Sequence, residues 1–303
     1  MHPGEGRGAW WEMERQTMPE QTIAEALTLA PDADGVLTAD LHGDFSNGRL
    51  NAPPETGFPF GGLIAALCAS SMQQGLAITA PLRSLSVQYM TPALFGQPIH
   101  FTPRLLRGGR SASFAQVDLT QKDKEGQDRL TNHASATFGD DVPGPAMTPL
   151  AAPPPLDALK TGRDLEGPMA PRFSQHVEYR FETGPHILQP VPGRPVIERC
   201  WMKIRDGRPL DAIGLCYLLD ALYPPVWTAL DRPLGMATVD LRYDILTDPT
   251  PEHCPGGWAF FEFRMLDFGS GWTVDEATVW AADGTPLALA RQRRKLAPVR
   301  PAR

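Results

Sequence analysis

One carboxylate stands out because it lies within an otherwise apolar segment. Asp220 belongs to the run LDAIGLCYLLDALY, in which helical spacing places it on the same face as Ile213, Cys216 and Tyr217. Burying a carboxylate among apolar side chains costs several kcal/mol unless a partner compensates for it. Asp220 is therefore a structural residue with a hydrogen-bond partner, a residue exposed where the helix ends, or a group that performs acid-base chemistry.

Two glycines and a threonine add candidate groups. Gly61 and Gly62 open a second apolar segment, FGGLIAALCASSM, and free N–H groups at a helix start can stabilise a developing oxyanion. Glycines there can equally serve only close packing of helix against sheet. Thr238 lies in a strand-like run, where alternation places it on the same face as Asp240. Its hydroxyl could accept from and donate to one water molecule, although threonine is also an ordinary strand residue.

Several chemistries are not expected from this composition. The four cysteines, Cys68, Cys200, Cys216 and Cys254, form no CxxC pair, and no histidine stands at metal-ligand spacing from them, so we expect no metal, cofactor or disulfide. A net charge of −7 argues against nucleic acid as a partner. The best membrane-span candidate, residues 209–230, contains Asp220 near its centre, which favours a buried helix and a cytoplasmic protein.

Proline and glycine divide the chain into short segments. They contribute 32 and 28 of 303 residues, about 20% where about 12% is usual, which excludes long helical bundles. The intervening segments predict apolar helices at 60–72 and 210–223 together with strands. The predicted strands are 35–44, 82–91, 99–106, 111–121, 129–138, 175–181, 196–204, 237–246, 258–266, 272–280 and 286–296.

The order of these segments is the same in both halves of the chain. Landmarks recur about half a chain apart, as Gly61 with Asp211 and Gly109 with Gly269 do, which indicates internal duplication. A Pro-rich stretch at 141–171 would separate domains at 21–140 and 172–297, leaving an N-terminal extension at 1–20 and a tail at 298–303.

Each half contains one helix that is apolar on nearly every face. Such a helix must be wrapped by sheet, and the four consecutive strands that follow it can curl around it. The sequence therefore predicts an α+β fold, a double hotdog of two tandem domains. Long sheet edges would favour pairing between subunits, so a homodimer or a tetramer built from dimers is expected.

These segments resemble the acyl-CoA thioesterase II (TesB-like) family of double-hotdog hydrolases from about residue 36 to residue 296. In the first half, the resemblance rests on FGG at 60–62, LRSLSVQYMTPA and LLRGGRSASFAQVDLTQ. In the second half, it rests on YLLDAL at 217–222, MATVDLRY at 236–243 and DGTPLALARQ at 283–292.

The resemblance implies hydrolysis of an acyl-CoA by a water that an Asp, a Thr and a Gln of the second half bind and activate. The matching residues are Asp220, Thr238 and Gln292, the last being the ninth residue after Asp283 of a hairpin turn. Gly61 and Gly62 would contact the substrate. The chain departs from the family pattern at the prolines around the second helix, Pro209 and Pro224-Pro225, and in the arginines that flank Gln292.

The first half lacks the acid. Ser70 and Ser84 stand at the positions that we assign as equivalent to Asp220 and Thr238. This half should hold a degenerate site that shapes the substrate pocket.

Two other functions are compatible with the predicted fold. A double-hotdog dehydratase would use an Asp early in the second helix, where Asp211 stands, but Leu215 occupies the place of its Gln or His, and no first-half histidine has the required Gly and Pro pattern. A non-catalytic acyl-CoA-binding protein is the stronger rival, since fold does not fix function. The basic segment at 291–303 is either a solvated tail or a site for CoA phosphates.

Overall fold

The fold is seen in a computed structural model that describes residues 19–151, 159, 162–165, 167 and 170–297. The predicted extension at 1–20, apart from its last two residues, and the predicted tail at 298–303 lie outside the described residues. So do parts of the predicted linker at 141–171.

The helices and strands follow the predicted order, except that the first helix and the first strand are not predicted and that the strand predicted at 35–44 is only three residues long. The elements of the first half are α1 (Ile23–Ala26), β1 (Ala30–Pro31), β2 (Leu37–Ala39), α2 (Gly61–Gly75), β3 (Leu82–Tyr89), β4 (Ile99–Arg107), β5 (Ser113–Lys122) and β6 (Asp128–Phe138). Those of the second half are β7 (Val177–Phe181), β8 (Ile197–Ile204), α3 (Ala212–Leu218), β9 (Met236–Ile245), β10 (Ala259–Gly269), β11 (Trp272–Trp280) and β12 (Pro286–Leu296).

All of these strands belong to one antiparallel sheet. Its order is β1-β2-β4-β5-β6-β3-β9-β12-β11-β10-β8-β7, so the two halves join through the pairing of β3 with β9. Each half contributes one sheet segment and one central helix, α2 or α3, to a common apolar core, to which the short α1 adds Ile23 and Ala26. The predicted α+β double hotdog fold is confirmed. None of the helices in the described ranges is long and apolar enough to cross a membrane.

The second helix is shorter than the sequence predicts. It starts after Asp211, whose side chain accepts a hydrogen bond from the N–H of Gly214 at 2.7 Å, and it ends at Leu218 instead of residue 223. The N–H groups of Asp220 and Ala221 bond three residues back, to Tyr217 and Leu218, which tightens the chain into a turn. Pro224 and Pro225 cannot supply the N–H groups that a longer helix would need. Asp220 therefore lies in a turn beyond the helix, not in its late turns.

The pairing registers correct one of the assigned equivalences between halves. In β3, Leu82 pairs with Phe138 and Ser84 with Thr137, so Arg83 is an extra, bulged residue. The strand β9 has the same irregularity between Thr238 and Asp240. Leu82 is therefore the counterpart of Thr238, and the assignment of Ser84 to that position is wrong. The number of residues between equivalent positions of the two halves is larger in these strands than in the helices. Applying one spacing to the whole chain therefore assigns the wrong partner to Thr238.

Candidate active site

Three polar side chains from separate elements meet beside the start of α2. The amide Nε2 of Gln292, on β12, donates to Asp220 Oδ1 at 2.7 Å and to Thr238 Oγ1, on β9, at 2.6 Å. Gln292 is 6% exposed, and only 9% of the Asp220 side chain is accessible. The structure thus brings together the three side chains singled out in the sequence, and their catalytic role stays a prediction.

A β-bulge turns Thr238 toward the other two groups. Simple alternation predicts that Thr238 shares a face with Asp240, and this prediction is wrong. Thr238 lies opposite Arg294 and Asp240 lies opposite Arg293, with Val239 as the extra residue between them. Directly opposed residues share a face, so Thr238 lies on the face of Arg294. Arg294 and Gln292 are two residues apart on β12 and share the inner face, so the bulge places Thr238 on that face too.

An arginine and an aspartate that sequence reasoning did not select complete the polar cluster. Arg294 Nη2 donates to Gln292 Oε1 at 2.6 Å, and Arg294 Nη1 forms an ion pair with Asp275 on β11. Thr273 Oγ1 contacts Asp275 Oδ1 at 3.3 Å. All three side chains are buried. The sequence signal for Arg294 is the alternation along β12, which places it on the same face as Gln292. Arg291 and Arg293 lie on the other, exposed face.

The surroundings of Asp220 make it a stronger base than an exposed aspartate. Burial raises the pKa of its carboxyl because the charged form loses water. Three contacts oppose this shift without cancelling it: the positive charge of Arg294, with Nη2 at 4.0 Å from Oδ1, the hydrogen bond from Gln292, and one from the N–H of Gly62. The carboxyl is accordingly poised to exchange a proton nearer to neutral pH.

The two glycines allow α2 to approach this carboxylate closely. A Cβ on Gly61 would lie 2.6 Å from Asp220 Oδ2, and one on Gly62 would lie 2.6 Å from the carbonyl oxygen of Tyr217. The carbonyl of Gly61 accepts a hydrogen bond from the Tyr89 hydroxyl at 2.8 Å. Since the N–H of Gly62 already faces Asp220, the observed role of these glycines is close packing and orientation of the acid. Their contact with substrate stays a prediction.

The first half contains a related but different arrangement at the opposite ends of the two helices. Ser70 of α2 and Asp211 at the start of α3 line one cavity of about 470 Å³, where Asp211 forms an ion pair with Arg208 at 2.8 Å. Asp211 is thus engaged as a helix cap and ion-pair partner, and half of its side chain is exposed. Ser70 stands in this arrangement where the second half has Asp220.

The cluster around Asp220 has the groups that are needed to activate a water molecule. The carboxylate can accept a proton from water beyond the bonds that it takes from Gln292 and Gly62, because its two oxygens offer about four acceptor positions. The Thr238 hydroxyl oxygen accepts from Gln292, so its own proton is free to be donated. Both amide hydrogens of Gln292 are already engaged, so a water would have to bind to the other two side chains.

Comparisons with known proteins agree with this fold. The family model of the acyl-CoA thioesterase C-terminal domain matches residues 124–293, and that of the N-terminal domain matches residues 51–139. No curated protein matches the chain.

Solved structures share the fold over almost the whole chain. A hot dog fold protein of unknown function from Alicyclobacillus acidocaldarius is 22% identical, with a TM-score of 0.77 over 91% of this chain and 98% of its own. The acyl-CoA thioesterase II TesB2 from Mycobacterium marinum is 18% identical, with a TM-score of 0.66 over 93% and 99%. The dehydratase domain of RzxB from Pseudomonas fluorescens is 13% identical, with a TM-score of 0.54 over 92% and 100%. At these identities, the likeness shows the fold alone. The family match, which spans more than half of the chain, shows that this chain belongs to the acyl-CoA thioesterase family.

Proposed function

We propose that this protein hydrolyses the thioester of an acyl-CoA to a carboxylic acid and CoA. The observation that carries the proposal is the largely buried contact in which one amide group, that of Gln292, joins Asp220 to Thr238. A protein that only binds acyl-CoA has no need of a buried carboxylate, whose desolvation is unfavourable. Membership in the thioesterase family supports the same reaction.

In the proposed reaction, Asp220 accepts a proton from a water while the water oxygen attacks the acyl carbonyl carbon. Thr238 holds that water through its hydroxyl, and Gln292 keeps the acid and the hydroxyl at a fixed separation. The tetrahedral intermediate carries its negative charge on the former carbonyl oxygen, next to the N-terminus of α2 at Gly61, since the N–H of Gly62 is engaged by Asp220. The carbon–sulfur bond then breaks, and the CoA thiolate leaves and takes the proton from Asp220. No covalent acyl-enzyme is formed.

The proposal includes two hotdog domains, at 21–140 and 172–297, joined by a linker at 141–171. It also includes a cytoplasmic location and assembly as a homodimer or a tetramer of dimers. The short strands β1 and β7 lie at the two ends of the described sheet. On the outer side of β7, the N–H groups of Tyr179 and Phe181 bond to Asp164 and Arg163, whereas β1 has one side on which no strand of the described chain pairs, which supports association between subunits.

A thiol-release assay over a panel of acyl-CoAs tests the proposed function. The panel should vary the length, branching and aromaticity of the acyl group and include an acyl carrier protein thioester. We expect turnover on at least one member, with free acid and thiol formed in equal amounts. Tight binding of acyl-CoA by calorimetry without release of thiol from any member would instead establish the non-catalytic binder.

Replacing Gly61 by alanine should impair turnover through the position of Asp220. The added Cβ would lie 2.6 Å from Asp220 Oδ2 and would have to displace it. We expect kcat/KM to fall by about 100-fold, the scale of loss that misplacing a reacting group by about 1 Å produces. Alanine favours helix, so thermal unfolding should be little changed.

The matched control is Gly269→Ala, because a Cβ there meets no atom within 4 Å. This variant should hydrolyse the same substrate at the wild-type rate. A Gly61→Ala variant with wild-type kcat/KM would show that the exact position of Asp220 is unimportant.

A further inference from the structure

We propose that Arg294 and Asp275 form a positioning pair that fixes the side-chain amide of Gln292 in the orientation that joins Asp220 to Thr238. The inference rests on the proposed function, because it concerns the geometry of the same site. It adds Arg294, which lies on the same strand as Gln292, and Asp275, which lies on the neighbouring strand β11.

The polarity of the hydrogen bonds allows one orientation of the amide. A guanidinium has only donors and a carboxylate only acceptors, whereas an amide has an oxygen that accepts and a nitrogen that donates. Arg294 on one side and Asp220 on the other therefore require the Gln292 oxygen to face Arg294 and its nitrogen to face Asp220. Rotating the amide by half a turn would set donor against donor and oxygen against carboxylate.

Arg294 can impose this orientation because it is itself held. Its Nη1 forms the ion pair with Asp275 and its Nη2 bonds to Gln292. Asp275 lies directly opposite Gln292 in the sheet, and Thr273 lies directly opposite Arg294. Thr273 contacts Asp275 in turn. The planar guanidinium is thus fixed by contacts on two of its nitrogens.

The first half of the chain shows that the fold does not require these polar groups. The shared bulge relates Leu82 to Thr238, and the strand registers extend this relation to the neighbouring positions. The first-half residues equivalent to Gln292, Arg294 and Asp275 are, in that order, Ala136, Phe138 and Ala115.

All of these first-half counterparts are apolar and at most 5% exposed. A buried ion pair is expensive to desolvate, and apolar residues often replace one without loss of stability. Its presence in the half that contains Asp220 points to a role in the site.

The double substitution Asp275→Ala with Arg294→Phe tests this role because it installs the residues of the first half. Removing both charges together avoids leaving one of them buried without a partner. We expect a folded protein whose kcat is lower by about 10-fold or more, with KM changed much less, because a loosely held Gln292 no longer sets the distance between acid and hydroxyl. Wild-type kcat in this variant would overturn the proposal.

The pH profile separates positioning from a merely structural contribution. Arg294 lowers the pKa of Asp220, so its loss should move the acidic limb of kcat/KM toward higher pH. The other titratable groups around the site are Asp275, which pairs with the far nitrogen of Arg294, and the phenols of Tyr89, Tyr217 and Tyr243, whose pKa values are raised well above the usual value by burial and which therefore stay neutral. A profile that coincides with that of the wild type would contradict the proposal.

Two single variants sharpen the comparison. Arg294→Lys keeps a positive charge but cannot contact Gln292 and Asp275 with a planar fork, so its acidic limb should remain near that of the wild type while kcat falls. The control is Arg293→Met, because Arg293 is the exposed neighbour on the opposite face of β12. It should match the wild type in both kcat and pH profile.

Two measurements distinguish failure of this inference from failure of the proposed function. If the wild type releases no thiol from any acyl-CoA of the panel, the proposed function is wrong, and if Asp220→Asn retains full activity, the proposed role of Asp220 is wrong. If Asp220→Asn is inactive while the double variant turns over with wild-type kcat and pH profile, only the positioning role is wrong.

A ¹³C NMR titration of the Asp220 carboxyl needs no turnover. The midpoint of the titration should lie at higher pH in the double variant than in the wild type, and an unchanged midpoint would contradict the coupling between Arg294 and Asp220.

Discussion

Replacing Asp220 by asparagine should lower kcat/KM for thioester hydrolysis by about 100- to 10 000-fold, the range that general acid–base groups contribute. Asparagine has nearly the shape of aspartate but cannot accept a proton from water. The fold should survive, because the substitution removes a carboxylate whose burial is unfavourable. Thiol release on the best acyl-CoA of the panel, with thermal unfolding measured in parallel, checks both expectations.

Asp211→Asn is the matched control for this prediction. Asp211 caps the start of α3, the helix that precedes the turn with Asp220, and asparagine caps a helix N-terminus about as well as aspartate does. Its activity should equal that of the wild type. The opposite pattern, with loss of activity in Asp211→Asn and none in Asp220→Asn, would remove Asp220 from the mechanism and favour the dehydratase-like site at the start of α3.

Replacing Thr238 by valine should lower kcat/KM by about 100-fold, which is the lower end of the loss found when a donor at a reacting centre is removed. Valine keeps the branched shape but offers no hydroxyl to a water. It also leaves one amide hydrogen of Gln292 without its acceptor, so Gln292 should hold Asp220 less firmly. Steady-state kinetics should show the loss mainly in kcat.

Thr238→Ser should recover part of the activity, since serine restores the hydroxyl. The control is Thr278→Val, because Thr278 lies on β11 in the same sheet and faces away from the inner layer that holds Thr273, Asp275 and Ala277. Equal rates for Thr238→Val and Thr278→Val would show that the Thr238 hydroxyl has no part in the reaction.

The fold was largely predictable because its strands and helices are separated by strong turn signals. The predicted bounds of β11 and β12 agree with the structure, and α2 differs by a few residues at its end. The sequence predicts too long a second helix because the apolar pattern continues past Leu218, where the helix ends. The apolar pattern takes no account of the missing N–H groups of Pro224 and Pro225, and it does not show that the chain tightens into a turn before them.

The site was predictable in its residue types but not in its geometry. Family motifs selected Asp220, Thr238 and Gln292, yet alternation pointed Thr238 to the wrong face because a bulge at Val239 depends on strand pairing. In the sequence, Arg294 is only one of the arginines that flank Gln292 and depart from the family pattern. Only the pairing of β12 with β11 brings Asp275 opposite Gln292, where it forms the ion pair with the buried Arg294.

The central claim is that a water activated by Asp220 attacks the thioester directly, and a single turnover in ¹⁸O-labelled water tests it most directly. With enzyme in excess over acyl-CoA, the account predicts one ¹⁸O atom in the released carboxylic acid and none in the peptide that contains Asp220, both measured by mass spectrometry. Label in the Asp220 carboxyl with unlabelled oxygen transferred to the acid would show covalent attack by Asp220 on the acyl group, and would contradict the account.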